Sequence, residues 1–387
     1  VREIVLDGSP EPVLELTEAL HAALNDGETV LPLAGTDPSC AALRAAMAPE
    51  DPVEPETAVL IATSGSTGEP KGVLLSATAL RASATATHER LGGDGHWLLA
   101  TPACYIGGVQ VLVRALLADT EPGIVETRGG FVPEAFTAAA AGVLNEPGRH
   151  YTALVPTQLA KLLEDGAACE ALRGFDAIVL GGAATSPSLR ARAVDAGVRV
   201  VAAYGMSETA SGCVYDGIPL DGVGVRLAGE SDGIGVIEVS GSVLAHGYRR
   251  APEHTAESFV DGWFRTGDLG RFDGERLEVL GRADDMINSG GVKLAPALIE
   301  RVLLAQPSVA QACVVGMPDE HWGEAVVAAI VPASGVGGPD EAKLAAAVRA
   351  ELGKAAVPKR FERLPTFPMR GPGKVDRGAV REAMGES

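Results

Sequence analysis

Between Val59 and Gly72 the chain reads VLIATSGSTGEPKG, an apolar run that breaks into small and hydroxylated residues and ends at a lysine. The run VLIA predicts a short buried strand. The residues after it serve no core. Glycine lets a backbone curl closely around a ligand. The amides and hydroxyls of Thr63, Ser64, Gly65, Ser66, Thr67 and Gly68 can then face phosphate oxygens, with Lys71 adding a positive charge. A Walker A box is excluded, because Gly72 follows Lys71 where a hydroxyl should hold the metal. A flexible Ser/Gly surface turn is the plain alternative.

Further polar stretches call for the same explanation. Pro102–Gly108 is PACYIGG, and Gly181-Gly182-Ala183 offers bare backbone that can lie flat against a planar base. In Tyr204-Gly205-Met206-Ser207-Glu208-Thr209 an aromatic can stack, hydroxyls can bind phosphate, and Glu208 can hold a hard cation such as Mg²⁺. In Phe264–Gly270 (FRTGDLG) the carboxylate of Asp268 can accept both hydroxyls of a ribose, and Gly371–Arg377 (GPGKVDR) frames Lys374 in a Gly/Pro loop. Each alone reads equally as a loop, the last as a flexible basic tail. Together they point to a nucleotide.

The elements that must position these residues follow from the pattern around them. Helices are expected over Pro12–Asn25, Asp37–Ala48, Ser76 to near Leu91, Val109–Leu117, Pro133–Leu144, Thr157–Leu163 and Ser188–Ala196. Strands are expected over Thr29–Leu33, His96–Thr101, Tyr151–Val155, Ala177–Leu180 and Arg199–Ala203. Strand, Gly/Pro stop, helix, strand is the rhythm of an α/β fold with a largely parallel sheet, which places ligands at the carboxyl ends of its strands. From about Gly222 short β pieces (Val223–Leu227, Gly235–Val239, Trp263-Phe264, Arg276–Leu280) predict a small antiparallel sheet or barrel. After Gly281–Asp285 come a helix over Ala295–Ala305, strands over Gln311–Gly316 and Glu324–Val331, a helix over Pro339–Leu352 and a polar tail. The expectation is a large N-terminal α/β domain, residues 1–283, with parallel-rich sheets and a small β-barrel-like part. A small, mobile α+β C-terminal domain, residues 284–387, follows it.

Bulk properties narrow the partners. At 387 residues the chain exceeds what one core usually supports. A net charge of −19 without a basic tract argues against nucleic acid and anionic membrane surfaces. Five scattered cysteines form neither a disulfide framework nor a metal knuckle, so buried free thiols are expected. The start has neither the basic nor the apolar region of a signal peptide, and no apolar run suffices for a membrane span. A cytoplasmic protein is expected.

Taken together, the motifs resemble those of the adenylate-forming superfamily of acyl-CoA synthetases, luciferases and adenylation domains, from about residue 57 to 380. TSGSTGEPKG is similar to its phosphate loop, YGMSET to its aromatic-plus-glutamate motif, TGD to its ribose motif, GRADD to its hinge and GKVDR to its catalytic-lysine loop. More narrowly, PACYIGGVQVLVRAL, LVPTQLAKLL and YGMSETASGCVYDGIPLDGV resemble the actinobacterial o-succinylbenzoate–CoA ligases of menaquinone biosynthesis. Tyr105 stands where that subfamily usually has a histidine.

The resemblance implies an acyl-adenylate made from a carboxylic acid and ATP with Mg²⁺, then transfer of the acyl group to coenzyme A. It implies that Lys374 contacts the acyl carboxylate and α-phosphate, Thr209 the α-phosphate, Arg282 the ribose or phosphate, and Glu208 the metal. The phosphate loop, Gly181–Ala183, Tyr204–Ser207 and Asp268 would bind ATP and AMP. Tyr105, Gly107, Thr157 and Gly205 would line the acyl pocket, and Gly290, Gly291 and Lys293 the route of CoA. Asp284 would be the hinge. A homodimer is compatible with the resemblance. An aryl or medium-chain acyl-CoA ligase, a carrier-protein loader and an inactive adenylate sensor remain alternatives at this point.

Overall fold

The computed structural model describes residues 1–35, 40–63, 70–231, 233–333, 338–369 and 375–385. Two sheets organise the first part of the chain. One is ordered Arg2–Leu6, Val30–Ala34, Thr57–Thr63, Lys71–Ser76, Gly247–Tyr248. Its first pairings are parallel, and Lys71–Ser76 is antiparallel to both of its neighbours. The other sheet has seven strands, ordered Ile218–Pro219, Ser211–Tyr215, Val200–Met206, Ala177–Leu180, His150–Leu154, His96–Leu99, Gly123–Ile124. Its strands from Val200–Met206 to Gly123–Ile124 pair in parallel, and the first two pair antiparallel.

The parallel strands are mainly apolar because helices cover them; Ala177–Leu180 (AIVL) is buried at every position. Parallel neighbours need long crossovers, which the helices Ile106–Leu117, Pro133–Leu144, Pro156–Glu164 and Pro187–Asp195 supply. Helix Ala77–Leu91 starts where Ser76 accepts the Ala79 amide at 3.1 Å and stops at Gly92, whose φ of 100° suits glycine.

Residues after Gly222 adopt the antiparallel form of the two expected. A five-stranded sheet is ordered Gly224–Ser231, Ile234–Ser240, Trp263–Asp273, Phe259–Val260, with Arg276–Arg282 paired to Trp263–Asp273. The last sheet runs Val292–Leu294, Ile287–Ser289, Gly323–Pro332, Val309–Asp319, with Arg360–Arg363 parallel to Gly323–Pro332.

Contacts divide the chain into two compact units: Val1–Gly182, Ala193–Arg226 and Glu238–Thr266 in the first; Ala183–Arg192, Leu227–Ile237 and Gly267–Ser387 in the second. The first holds a large core that includes Leu16, Leu80, Trp97, Val109, Leu112 and Tyr151, and a smaller one around Leu31, Leu60 and Met47. The second has one core around Ile299, Leu303, Val314, Val326 and Leu344, and another around Val327, Phe367, Val380 and Met384. All five cysteines are free, with Cys104, Cys213 and Cys313 buried. Burial pushes the thiols of Cys213 and Cys313 up to about 12, so both are chemically inert. Among the described residues no helix is long and apolar enough to cross a membrane.

Lys71–Ser76 is a strand that the sequence reading lacked, because its apolar VLL run pairs with Thr57–Thr63 in a hairpin. Three expectations are corrected. Strand Val200–Met206 runs on through Tyr204, Gly205 and Met206, so only the rest of that motif is a turn. FRTGDLG lies inside the antiparallel strand Trp263–Asp273 and not beyond a strand end. The polar tail holds strand Arg360–Arg363 and helix Arg377–Gly385, which bury little but Phe361, Val380 and Met384 and so leave a weak apolar signal. A helix over Gly166–Arg173 is also present that the sequence reading lacked.

Candidate functional site

In the first unit, four neighbouring parallel strands end side by side, and each of these carboxyl ends carries a candidate. His96–Leu99 leads to Pro102–Gly108, His150–Leu154 to Thr157, Ala177–Leu180 to Gly181 and Gly182, and Val200–Met206 to Ser207–Thr209. This is the edge at which open α/β sheets bind ligands. Ala183 falls in the second unit.

Tyr105 is the half-buried N-cap residue of helix Ile106–Leu117. Its two following glycines differ in what they are for. A Cβ on Gly108 would lie 2.5 Å from the carbonyl oxygen of Pro102, so the helix start needs glycine there. A Cβ on Gly107 would meet nothing within 4 Å. Thr157 is exposed in the first turn of helix Pro156–Glu164. Gly182 has φ +82°, which suits glycine.

The turn Ser207–Thr209 is held from within. The buried Thr209 hydroxyl accepts the Met206 amide at 2.9 Å and donates to the Ser211 carbonyl at 2.7 Å. Its proton is thus committed to the backbone in this arrangement. Ala210 and Ser211 follow with φ of 48° and 96°, left-handed conformations uncommon outside glycine and typical of functional turns. Gly205 is squeezed by the same turn, since a Cβ there would lie 2.0 Å from the Ser211 carbonyl oxygen.

Glu208 carries its carboxylate on this turn, with Oε1 accepting the Tyr248 phenol at 3.0 Å. Tyr248 comes from strand Gly247–Tyr248, which pairs with Lys71–Ser76. Its ring stacks on His254, centroids 4.5 Å apart and planes at 21°. Lys71 closes the group: its Nζ lies 3.1 Å from His254 Nε2 and 5.8 Å from the Tyr248 ring centroid. The cation at the end of the first motif and the carboxylate of the fourth are therefore joined through two side chains that no motif had singled out. Among the described residues no three His, Cys, Asp or Glu side chains cluster as a metal cage. A single carboxylate of this kind fits Mg²⁺, which usually takes one or two carboxylates together with substrate phosphates.

In the second unit Asp268 and Arg282 are cross-strand partners. Arg282 donates to both carboxylate oxygens of Asp284, from Nε at 3.0 Å and Nη2 at 3.1 Å, while its Nη1 lies 4.0 Å from Asp268. Those hydrogen bonds hold the Asp284 carboxyl below its usual range and raise the guanidinium. Gly267 leaves room for the arginine, whose guanidinium would lie 2.3 Å from a Cβ. Gly290 and Gly291, with φ of 60° and 81°, make the two-residue turn of the hairpin Ile287–Leu294, a geometry that selects glycine by itself. The Trp322 indole covers Gly290, and Lys359 sits 4.2 Å from its ring centroid; Lys293 is exposed. Arg377 of GKVDR grips both carboxylate oxygens of Glu300, at 2.6 and 2.8 Å, and the Val314 carbonyl at 2.8 Å. It thereby anchors the chain just after the lysine loop. Ser64, Gly65, Ser66, Thr67, Gly68 and Lys374 lie outside the described residues.

One buried cation stands apart from the site. Arg114 is 1% exposed, over the Trp97 ring at 4.9 Å and 3.4 Å from the Tyr215 phenol; burial lowers its pKa. It follows Tyr105 by two and a half helical turns, about 13 Å at 1.5 Å per residue, so it serves the core and not the strand ends.

Comparison with known proteins adds the following. The family model described as AMP-binding enzyme matches residues 2–248, and the one described as AMP-binding enzyme C-terminal domain matches residues 298–374. The chain is 42% identical over 373 residues to a probable 2-succinylbenzoate–CoA ligase of Mycobacterium tuberculosis, covering 92% of this chain and 94% of that protein. The o-succinylbenzoate CoA synthetase of Bacillus subtilis, solved with the acyl-adenylate intermediate OSB-AMP, superposes with a TM-score of 0.74 at 25% identity, over 98% of this chain and 83% of that one. The amide bond synthetase McbA of Marinactinospora thermotolerans superposes with a TM-score of 0.78 at 30% identity, over 99% and 80%.

Proposed function

The chain belongs to the AMP-binding enzyme family, and from that premise we propose that it ligates o-succinylbenzoate to coenzyme A at the expense of ATP, releasing AMP and pyrophosphate. The observation that carries this reading is its likeness to the mycobacterial ligase over nearly the whole length of both chains. The chemistry has two steps. A carboxylate oxygen attacks the α-phosphorus, the bond to the bridging oxygen breaks, and pyrophosphate leaves. The CoA sulfur then attacks the acyl carbon, its proton is lost, and the carbon–oxygen bond to AMP breaks. The first step brings an anion to an anion, so its cost is electrostatic. Lys71 and the loop amides would neutralise the outer phosphates, Thr209 would bind the α-phosphate, and Lys374 would bridge the α-phosphate and the acyl carboxylate. Glu208 would hold Mg²⁺, which supplies Lewis-acid charge stabilisation when bound.

Gly181, Gly182 and Ala183 would lie against the adenine, Tyr204–Ser207 would complete the nucleotide site, and Asp268 would take the ribose hydroxyls with Arg282 beside it. Tyr105, Gly107, Thr157 and Gly205 would border the acid. The C-terminal domain, residues 284–387, would turn about Asp284 between the steps and bring Gly290, Gly291 and Lys293 to the CoA route. The protein works in the cytoplasm in this reading, as a monomer or homodimer.

The second carboxylate of o-succinylbenzoate needs a polar counterpart, because an unpaired buried charge is costly. Pro102–Gln110 holds no lysine or arginine, so Tyr105, Thr157 and backbone amides would supply it. Pyrophosphate release with CoA present, measured for o-succinylbenzoate, benzoate and a medium-chain fatty acid, tests the assignment. The expected result is a kcat/KM for o-succinylbenzoate at least about a hundredfold above either monoacid, the scale set by leaving buried polar groups unpaired. A preference for a monoacid removes the substrate and leaves the ligase chemistry.

A further inference from the structure

We infer that His254 is a positioning residue for ATP, holding the Lys71 ammonium and, through Tyr248, the Glu208 carboxylate where the polyphosphate and its metal bind. This deepens the reading of Lys71 and Glu208 given above and rests on it. Lys71 is the first residue of its strand, opposite Thr63, so its backbone is fixed by the hairpin while its long side chain is not. An ammonium has only donors, so at 3.1 Å the His254 Nε2 is the acceptor of this contact. Lys71 in this position also lies within cation–π reach of the Tyr248 ring, about 6 Å.

The remaining contacts fix His254 itself. Its ring lies flat on Tyr248, which is 6% exposed and donates to Glu208. Its neighbour Thr255 accepts the Tyr248 amide at 2.9 Å and donates to the Ala251 carbonyl at 2.8 Å, pinning helix Pro252–Ser258 to the strand before it. Gly247 permits that approach, since a Cβ there would lie 2.7 Å from the Thr255 methyl. His254 thus orders two charged side chains that sequence places far apart, one directly and one through the phenol. Ordering them before ATP arrives removes part of the entropy that binding would otherwise have to offset.

The test uses pyrophosphate release at varied ATP with Lys71→Ala, His254→Phe and His254→Gln. Phenylalanine keeps the stack on Tyr248 and removes the acceptor; glutamine loses the stack and restores an acceptor oxygen. Expected is a rise in KM for ATP of at least about tenfold in His254→Phe, the scale of one hydrogen bond to a charged group. Its kcat should change by less than about twofold, because the bond is made before the transition state. KM for the acid should stay put, and His254→Gln should recover most of the loss. Recovery by phenylalanine and not by glutamine would make His254 a packing residue and overturn the inference. A raised KM in Lys71→Ala beside an unchanged one in His254→Phe would also overturn it, while sparing the reading of Lys71. An unchanged KM in Lys71→Ala would remove that reading and the inference together.

Discussion

Gly107 and Gly205 both border the proposed acid site, yet they answer to different constraints. Gly205 has a carbonyl oxygen 2.0 Å from where a methyl would sit, whereas Gly107 faces open space. Gly205→Ala should therefore force the Ser207–Ser211 turn apart, at about 1–3 kcal/mol for an overpacked site, and lower the melting temperature. Gly107→Ala, on a helix where alanine is preferred to glycine, should not lower the melting temperature and should raise KM for the acid but not for ATP. Melting curves and KM values for the two variants decide it: equal destabilisation would mean that Gly107 is also a packing position, and an unmoved acid KM would take it out of the pocket. Single residues of this kind are legible in sequence only in part. The resemblance makes Gly290-Gly291 a ligand route, while its positive φ angles already follow from the hairpin. Tyr248 and His254 carry no local signal, because their contacts with Glu208 and Lys71 exist only once strand Gly247–Tyr248 has paired with Lys71–Ser76.

At the scale of elements, the parallel strands were readable because four-residue apolar runs with Gly or Pro stops have few other meanings; Ala177–Leu180 and helix Pro133–Leu144 have the bounds expected of them. Strands that continue through polar residues were not readable. FRTGDLG sits within a strand because pairing with Arg276–Arg282 satisfies its backbone, a fact set by the partner. Between helix Ala77–Leu91 and strand His96–Leu99 runs a polar chain, from the buried Trp97 and His88 out to the exposed Asp94, that only packing reveals. The Trp97 indole donates to His88 Nε2 at 3.1 Å, and His88 Nδ1 lies 2.8 Å from Asp94. Burial lowers the His88 pKa; Asp94 opposes the shift and Arg114 adds to it. His88 therefore stays neutral in the folded state at pH values where the unfolded chain, with histidine near about 6.5, takes up protons. Stability is full above that value and falls as pH drops below it, by up to about 1.4 kcal/mol per pH unit until the folded pKa is reached. Urea unfolding at pH 7.5 and 5.5 should show the loss, and His88→Gln should reduce it. An equal loss in that variant would assign the slope to other groups.

For the whole molecule, the proposed mechanism requires one small domain to serve two steps and to turn about Asp284 between them. The Asp284 carboxylate is bound to Arg282, which also neighbours Asp268. Asp284 therefore has two separable properties, a side chain that positions Arg282 and a backbone that must rotate. Proline removes both, since it fixes φ and has no amide to donate; alanine removes only the first. Asp284→Pro should leave adenylate formation from acid and ATP within about tenfold of the parent and lower thioester formation well beyond that, because the lost rotation costs only the second step. Asp284→Ala should retain both steps to within a few-fold, an exposed ion pair being worth about 1 kcal/mol or less. Lys374→Ala should do the reverse of the proline variant: losing one charged transition-state contact costs on the order of 3 to 4 kcal/mol, a few hundredfold, in adenylate formation, while thioester formation from supplied adenylate persists. Pyrophosphate release and thioester appearance, followed separately in the three variants, distinguish the outcomes. If alanine at 284 is as damaging as proline, Arg282 positioning and not rotation is the function of Asp284. If Lys374→Ala slows both steps equally, one arrangement of the two domains serves both reactions, because a lysine carried out of the site after the first step has no charge to contribute to the second.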